Sequence, residues 1–172
     1  MKRFALAAVA VISFGLPAFA GEQYIDGTGF AVSGYDVVAY RGLASNVVGA
    51  PQVAGVAGQA DITAKFNNAT FAFSTKENRA KFLDNPEYYA PQYDGHCAYG
   101  VSKGGKVPGN PNLWRIVDDK LFLNITKTVV TFWEEDIPAN ISLAEGNWPG
   151  IEGTGASGNK IPNFSSKAPE GS

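Results

Sequence analysis

His96 and Cys97 are the only histidine and the only cysteine in the chain, and they stand side by side in Tyr93-Asp-Gly-His-Cys-Ala-Tyr99. Neutral imidazole and thiolate together suit Cu(I), Cu(II) or Zn(II). Neighbouring residues on a regular strand point to opposite faces, so one ion can take both only at a turn, which Gly95 can supply. Any further ligand must be an oxygen, from Asp36, Asp94, Glu87 or a tyrosine, unless a second chain in a homodimer brings another His–Cys pair. Two other readings share these residues. A nucleophilic or redox thiol needs a lowered pKa and an oriented base, and no Ser-His-Asp set or glycine-rich nucleophile elbow accompanies it. As packing, Cys97 is a small buried hydrophobe and His96 a half-exposed cap on a turn.

The ends of the chain define where this pair must work. Lys2 and Arg3 precede a short apolar run that Gly15 and Pro17 interrupt, and Ala18-Phe-Ala20 is a small-x-small cleavage site. Residues 1–20 therefore read as a bacterial signal peptide, cut after Ala20, and the product is expected in the periplasm or secreted. Cleavage removes Met1, the one methionine, and with it any thioether ligand. It leaves 152 residues with 12 Lys and Arg against 16 Asp and Glu, an acidic balance that argues against a nucleic-acid partner. No later segment resembles a membrane anchor, and one cysteine allows no internal disulfide. From Glu152 the chain is rich in Gly, Ser, Pro and Asn, so 152–172 is expected to be a disordered tail behind a domain spanning 21–151.

Inside that domain, the residues Asp61 to Phe66 and Thr70 to Phe73 alternate around Asn67-Asn68-Ala69, and Leu113 to Val117 and Lys120 to Asn124 flank Asp118-Asp119. Both read as β-hairpins. Ser74-Thr-Lys-Glu77 has the form of a capping box, with Ser74 as N-cap of a helix that Asn85-Pro86 stops. A short helix follows at 87–90, and 128–135 and 139–145 read as helical segments interrupted by Pro138. Gly34 to Tyr40 fits a helical turn or a strand, and no internal repeat is visible. The carboxylates of Glu134-Glu-Asp136 read as a solvated helix face, and Lys103-Gly-Gly-Lys106 lacks the phosphate-loop pattern. The expected fold is a small single α+β domain of hairpins and short helices.

Several blocks, in fixed order, resemble the exported branch of the YHS-domain proteins: Gly34-Tyr-Asp-Val-Val-Ala-Tyr40, Phe71 to Phe82, Asn85-Pro-Glu-Tyr-Tyr-Ala-Pro-Gln-Tyr93, Cys97-Ala-Tyr99, Leu121-Phe-Leu-Asn124 and Asn147-Trp-Pro149. The match covers residues 33 to 150. The resemblance implies a compact α+β module related to metal-binding treble clefs, and relatives that accompany copper or heavy-metal handling. It makes Asp36 the leading carboxylate partner for His96 and Cys97. Ser74 and Asn78 stand where metal-binding relatives carry a Cys-x-x-x-Cys pair, so the family's structural zinc site is lost here. The expected function is binding of a metal ion, copper foremost, through His96, Cys97 and Asp36, without catalysis. Its alternatives are a non-catalytic interaction or structural module with Cys97 in the core, a small-ligand binder, and a thiol-dependent enzyme.

Overall fold

Alternating apolar residues on either side of two-residue polar turns close two antiparallel hairpins. A computed structural model describes residues 21–44 and 48–168; the expected signal peptide lies outside the described residues. Strand β1 (Gln59–Phe66) pairs with β2 (Ala69–Phe73) across Asn67-Asn68, and β3 (Asn110–Val117) with β4 (Lys120–Asn124) across Asp118-Asp119. Both residues of each turn have positive φ, at 47° and 61° in the first and 47° and 59° in the second. Such turns match the twist of the strands, and Asn and Asp tolerate the left-handed region. Among the described residues five α-helices complete the α+β fold: α1 (Lys76–Asp84), α2 (Pro86–Tyr89), α3 (Ala98–Ser102), α4 (Lys127–Glu135) and α5 (Ile137–Ile151).

Several local expectations need correcting. Thr75, not Ser74, caps α1, accepting the Asn78 amide at 3.1 Å, because Ser74 is drawn to a buried carboxylate. Pro138 does not interrupt a helix but sits in the first turn of α5, where its missing N–H is not needed. Gly34 to Tyr40 is neither one turn nor a strand; it joins two 3-10 turns, Val32–Gly34 and Ala39–Gly42. Of the carboxylate run, Glu135 and Asp136 are exposed as expected, Asp136 also capping α5, whereas Glu134 pairs with buried Arg115 at 2.7 Å.

The fold also contains a repeat. Each element from β3 through α4 lies 51 residues after its counterpart from β1 through α1, with equal lengths and the same irregularity near the start of each hairpin. Thr126 caps α4 as Thr75 caps α1, and Asp136 caps α5 as Asn85 caps α2. The segments leading in repeat as well. Ser33-Gly34 and Asp94-Gly95 share positive φ, then Asp36 N–H donates to Val56 O and Cys97 N–H to Val107 O, both at 2.8 Å. Gly58 N–H donates to Gly34 O and Gly109 N–H to Gly95 O. A side chain at Gly58 would collide with Ala72, and one at Gly109 with Gly95 O and Leu123 Cβ, so each close approach requires glycine.

Each half buries its own aromatic pair. Phe71 stacks against Phe82 with centroids 5.0 Å apart, and its counterpart Phe122 against Trp133 at 5.5 Å. Around the first pair lies a core that also takes Trp114 and Leu121 from the second hairpin, which joins the halves. Of the segment 152–172 expected to be a disordered tail, residues 153–168 lie along both halves and 169–172 fall outside the described residues. Ile161 and Ala168 are buried, Phe164 packs on Tyr35, and Ser166 Oγ donates to Ser33 O at 2.6 Å.

Candidate functional site

The repeat decides which candidate residues can meet. Asp36 and Cys97 hold the same position in the two halves, and so do Tyr35 and His96. Asp36 is completely buried and accepts five hydrogen bonds. Oδ1 takes the amides of Val38 (2.9 Å) and Ala39 (3.2 Å); Oδ2 takes Ser74 N (2.8 Å), Ser74 Oγ (2.6 Å) and Asn78 Nδ2 (2.8 Å). Ser74 and Asn78, flagged in the sequence as positions of lost ligands, thus converge on Asp36. Their counterparts in the second half are Ile125 and Val129, which bring no polar side chain.

Cys97 caps α3. Its Sγ accepts the Gly100 amide at 3.4 Å and donates to Asn124 Oδ1 at 3.4 Å, so the sulfur serves as a protonated thiol. Burial pushes its pKa up, against the opposing pull of the Gly100, Ile125 and Tyr99 amides. A thiol so placed is a poor nucleophile, since the thiolate is the reactive form.

His96 is buried as completely as Cys97, not half-exposed. The Ser157 amide can only donate, so Nε2 accepts from it at 3.2 Å; the Tyr93 carbonyl can only accept, so Nδ1–H donates to it at 2.9 Å. The ring is therefore the neutral Nδ1–H tautomer. Burial drives its pKa down to about 4, the Tyr93 carbonyl works the other way, and Lys106 lowers it further. Tyr24 and Trp148 flank the ring, with centroids at 6.1 and 6.3 Å.

Asp36 shares no hydrogen-bond partner with His96 or Cys97, and among the described residues no group of three or more His, Cys, Asp and Glu side chains could hold a metal ion. Asp94, another oxygen candidate, has Oδ1 bonded to Gln23 Nε2 at 2.5 Å while Oδ2 is buried without a partner. Its pKa rises to about 6 through burial and the nearby Glu152 carboxylate, partly offset by Lys106 and Gln23.

The concave surfaces lie elsewhere. A cleft of about 500 Å³ opens between the start of β3, the start of α4 and the C-terminal strap. Leu113, Ile125 and Phe164 give it an apolar wall; Asn110, Asn112 and Lys127 supply polar groups. Nothing in the sequence marked these residues, because a strap of small polar residues carries no sign of where it docks. No helix among the described residues is long and apolar enough to cross a membrane. No family model, curated protein or solved structure matches the chain.

Proposed function

We propose that the chain is an exported, non-catalytic YHS-like module that binds a small molecule, and that its most reactive residues serve the fold. One observation carries this reading: the Cys97 thiol, both His96 nitrogens and both Asp36 oxygens are buried and hydrogen-bonded within the protein. The two hairpins, each followed by short helices, agree with the small α+β domain that the resemblance implies. The cleft beneath the strap is the place for a ligand. Its volume lies within the usual range for small-molecule pockets, and its apolar wall with amides and one lysine suits an amphipathic anion.

The test titrates the exported protein with 8-anilinonaphthalene-1-sulfonate and separately with Cu(I) and Cu(II). Saturable dye binding, weakened about tenfold by Lys127→Glu and untouched by Cys97→Ser, is expected. Copper affinity should be equal in wild type and Cys97→Ser. Absence of saturable dye binding, or copper affinity lost with the thiol, overturns the reading.

One observation favours copper at His96 and Cys97 as a second reading. The partner of Nε2 is a single backbone amide on a segment without regular secondary structure. Release of Ser157 would offer Nε2 to a metal, with Cys97 able to follow as thiolate and a second chain completing the set.

A further inference from the structure

We propose that cleavage after Ala20 seats the new α-ammonium of Gly21 on the unpartnered Oδ2 of Asp94, so that processing supplies the cation this carboxylate lacks. The proposal rests on the export reading, and it goes beyond it by giving the cleaved end a role in the fold. Hydrolysis of the bond between residues 20 and 21 consumes one water. Ala20 departs with a carboxylate and Gly21 keeps an amine, which with an ordinary pKa of about 7.7–8.0 is mostly protonated at neutral pH.

Geometry brings that amine to Asp94. A Cβ on Gly21 would stand 2.6 Å from Asp94 Oδ2 and collide with the Glu152 carbonyl oxygen, so only glycine fits between them. Standard bond lengths then put the Gly21 nitrogen no more than about 5 Å from Oδ2. Three hydrogen bonds hold the segment there: Tyr24 N–H to Asp94 O (2.9 Å), Gln23 Nε2 to Asp94 Oδ1 (2.5 Å) and Ala156 N–H to Glu22 Oε2 (3.1 Å).

The charges around Asp94 leave the place open. Glu152 and Glu22 are acidic, and His96 is neutral. Lys106 is the nearby cation, but its Nζ already donates to the carbonyls of Glu152 (2.9 Å) and Thr154 (2.8 Å). Within the uncleaved chain the Gly21 nitrogen is a neutral amide with one N–H. After cleavage it carries a positive charge and three donors, at a distance where an opposite charge strongly favours the carboxylate.

The pH dependence has a definite sign. An ammonium held this close to the Asp94 carboxylate is favoured over the neutral amine. Its own pKa rises in the fold, so its stabilisation holds below about 8 and fades as pH climbs through the raised value.

Three measurements test the proposal. Intact mass of the exported protein should show Gly21 as the first residue; another first residue overturns the export reading while the ion pair can still be examined on protein released from a fusion cut before Gly21. On that protein the α-amine pKa, followed by NMR after labelling, should exceed the ordinary value by about one unit and return to it in Asp94→Asn. Asn tolerates the positive φ at this position, so the variant is expected to fold. Thirdly, a protein beginning at Ala20 should melt several degrees below one beginning at Gly21 at pH 7, and at the same temperature at pH 4. An ordinary α-amine pKa, or equal melting of the two at pH 7, overturns the ion pair.

Discussion

A histidine with both nitrogens bonded inside the fold answers to pH differently from one waiting for a ligand. His96 is neutral in the native state because burial and Lys106 hold its pKa at about 4, while in the unfolded chain it returns to about 6.5. The folded pKa is depressed, so its contribution to stability is complete above about pH 6.5 and is lost as pH falls toward 4. Across that window the wild type should lose up to about 3 kcal/mol on this account, and His96→Gln should not. Denaturant unfolding of both proteins at half-unit steps checks this. At this scale the sequence correctly singles out chemically capable residues but not their use. His96 and Cys97 were legible as candidates from type alone, and Asp36 came forward among the carboxylates through the family resemblance. That Asp36 would face Ser74 and Asn78, and Cys97 the Asn124 amide, depends on partners 27 to 42 residues away.

At the level of elements, equivalence between the two halves makes its own prediction. Thr75 and Thr126 each accept an amide three residues on, at 3.1 and 3.3 Å, at the start of nine-residue helices. Thr75→Ala and Thr126→Ala should each destabilise by about 1 kcal/mol, and additively, since the caps share no partner. Ser74→Ala is expected to exceed either, because it leaves Asp36 short of a buried hydrogen bond at 2.6 Å. Urea unfolding of the three variants and the double cap variant measures this; a loss for Ser74→Ala smaller than for Thr75→Ala would mean that the Ser74–Asp36 bond adds little to stability. Both hairpins and the places of the first and fourth helices were legible because alternation, polar turns and helical runs are local signals, whereas the cap of α1 and the start of α5 were not. The repeat was not. Over 56–89 and 107–140 the paired positions are identical only at Val56/Val107, Gly58/Gly109, Phe71/Phe122, Thr75/Thr126 and Lys76/Lys127. What the halves share is backbone geometry and which positions are buried, and those tolerate Phe82 becoming Trp133 or Asn78 becoming Val129.

Across the whole molecule the C-terminal strap ties these parts together. Its amides reach the two equivalent ring positions, Ser157 to His96 Nε2 at 3.2 Å and Lys167 to Tyr35 Oη at 3.4 Å. Composition argued for disorder because Gly, Ser and Pro bury little, yet this strap is held by its backbone and by three anchors, Ile161, Phe164 and Ala168. Ala168 also explains Gly34, where any Cβ would press into the alanine methyl. Ending the chain at Glu152 removes the Ser157 donor, uncovers the ring and opens one wall of the cleft. The single histidine gives one imidazole signal, so its titration reports directly. In the shortened protein the His96 pKa should climb from about 4 toward 6.5, since burial is the main cause of its depression. The melting temperature should fall by several degrees with the lost packing, and dye binding at the cleft should weaken as Phe164 goes. If copper is the true ligand, the same truncation should instead strengthen copper binding, because Nε2 no longer has an amide to displace. An unchanged histidine titration would mean that the strap does not cover His96 in solution.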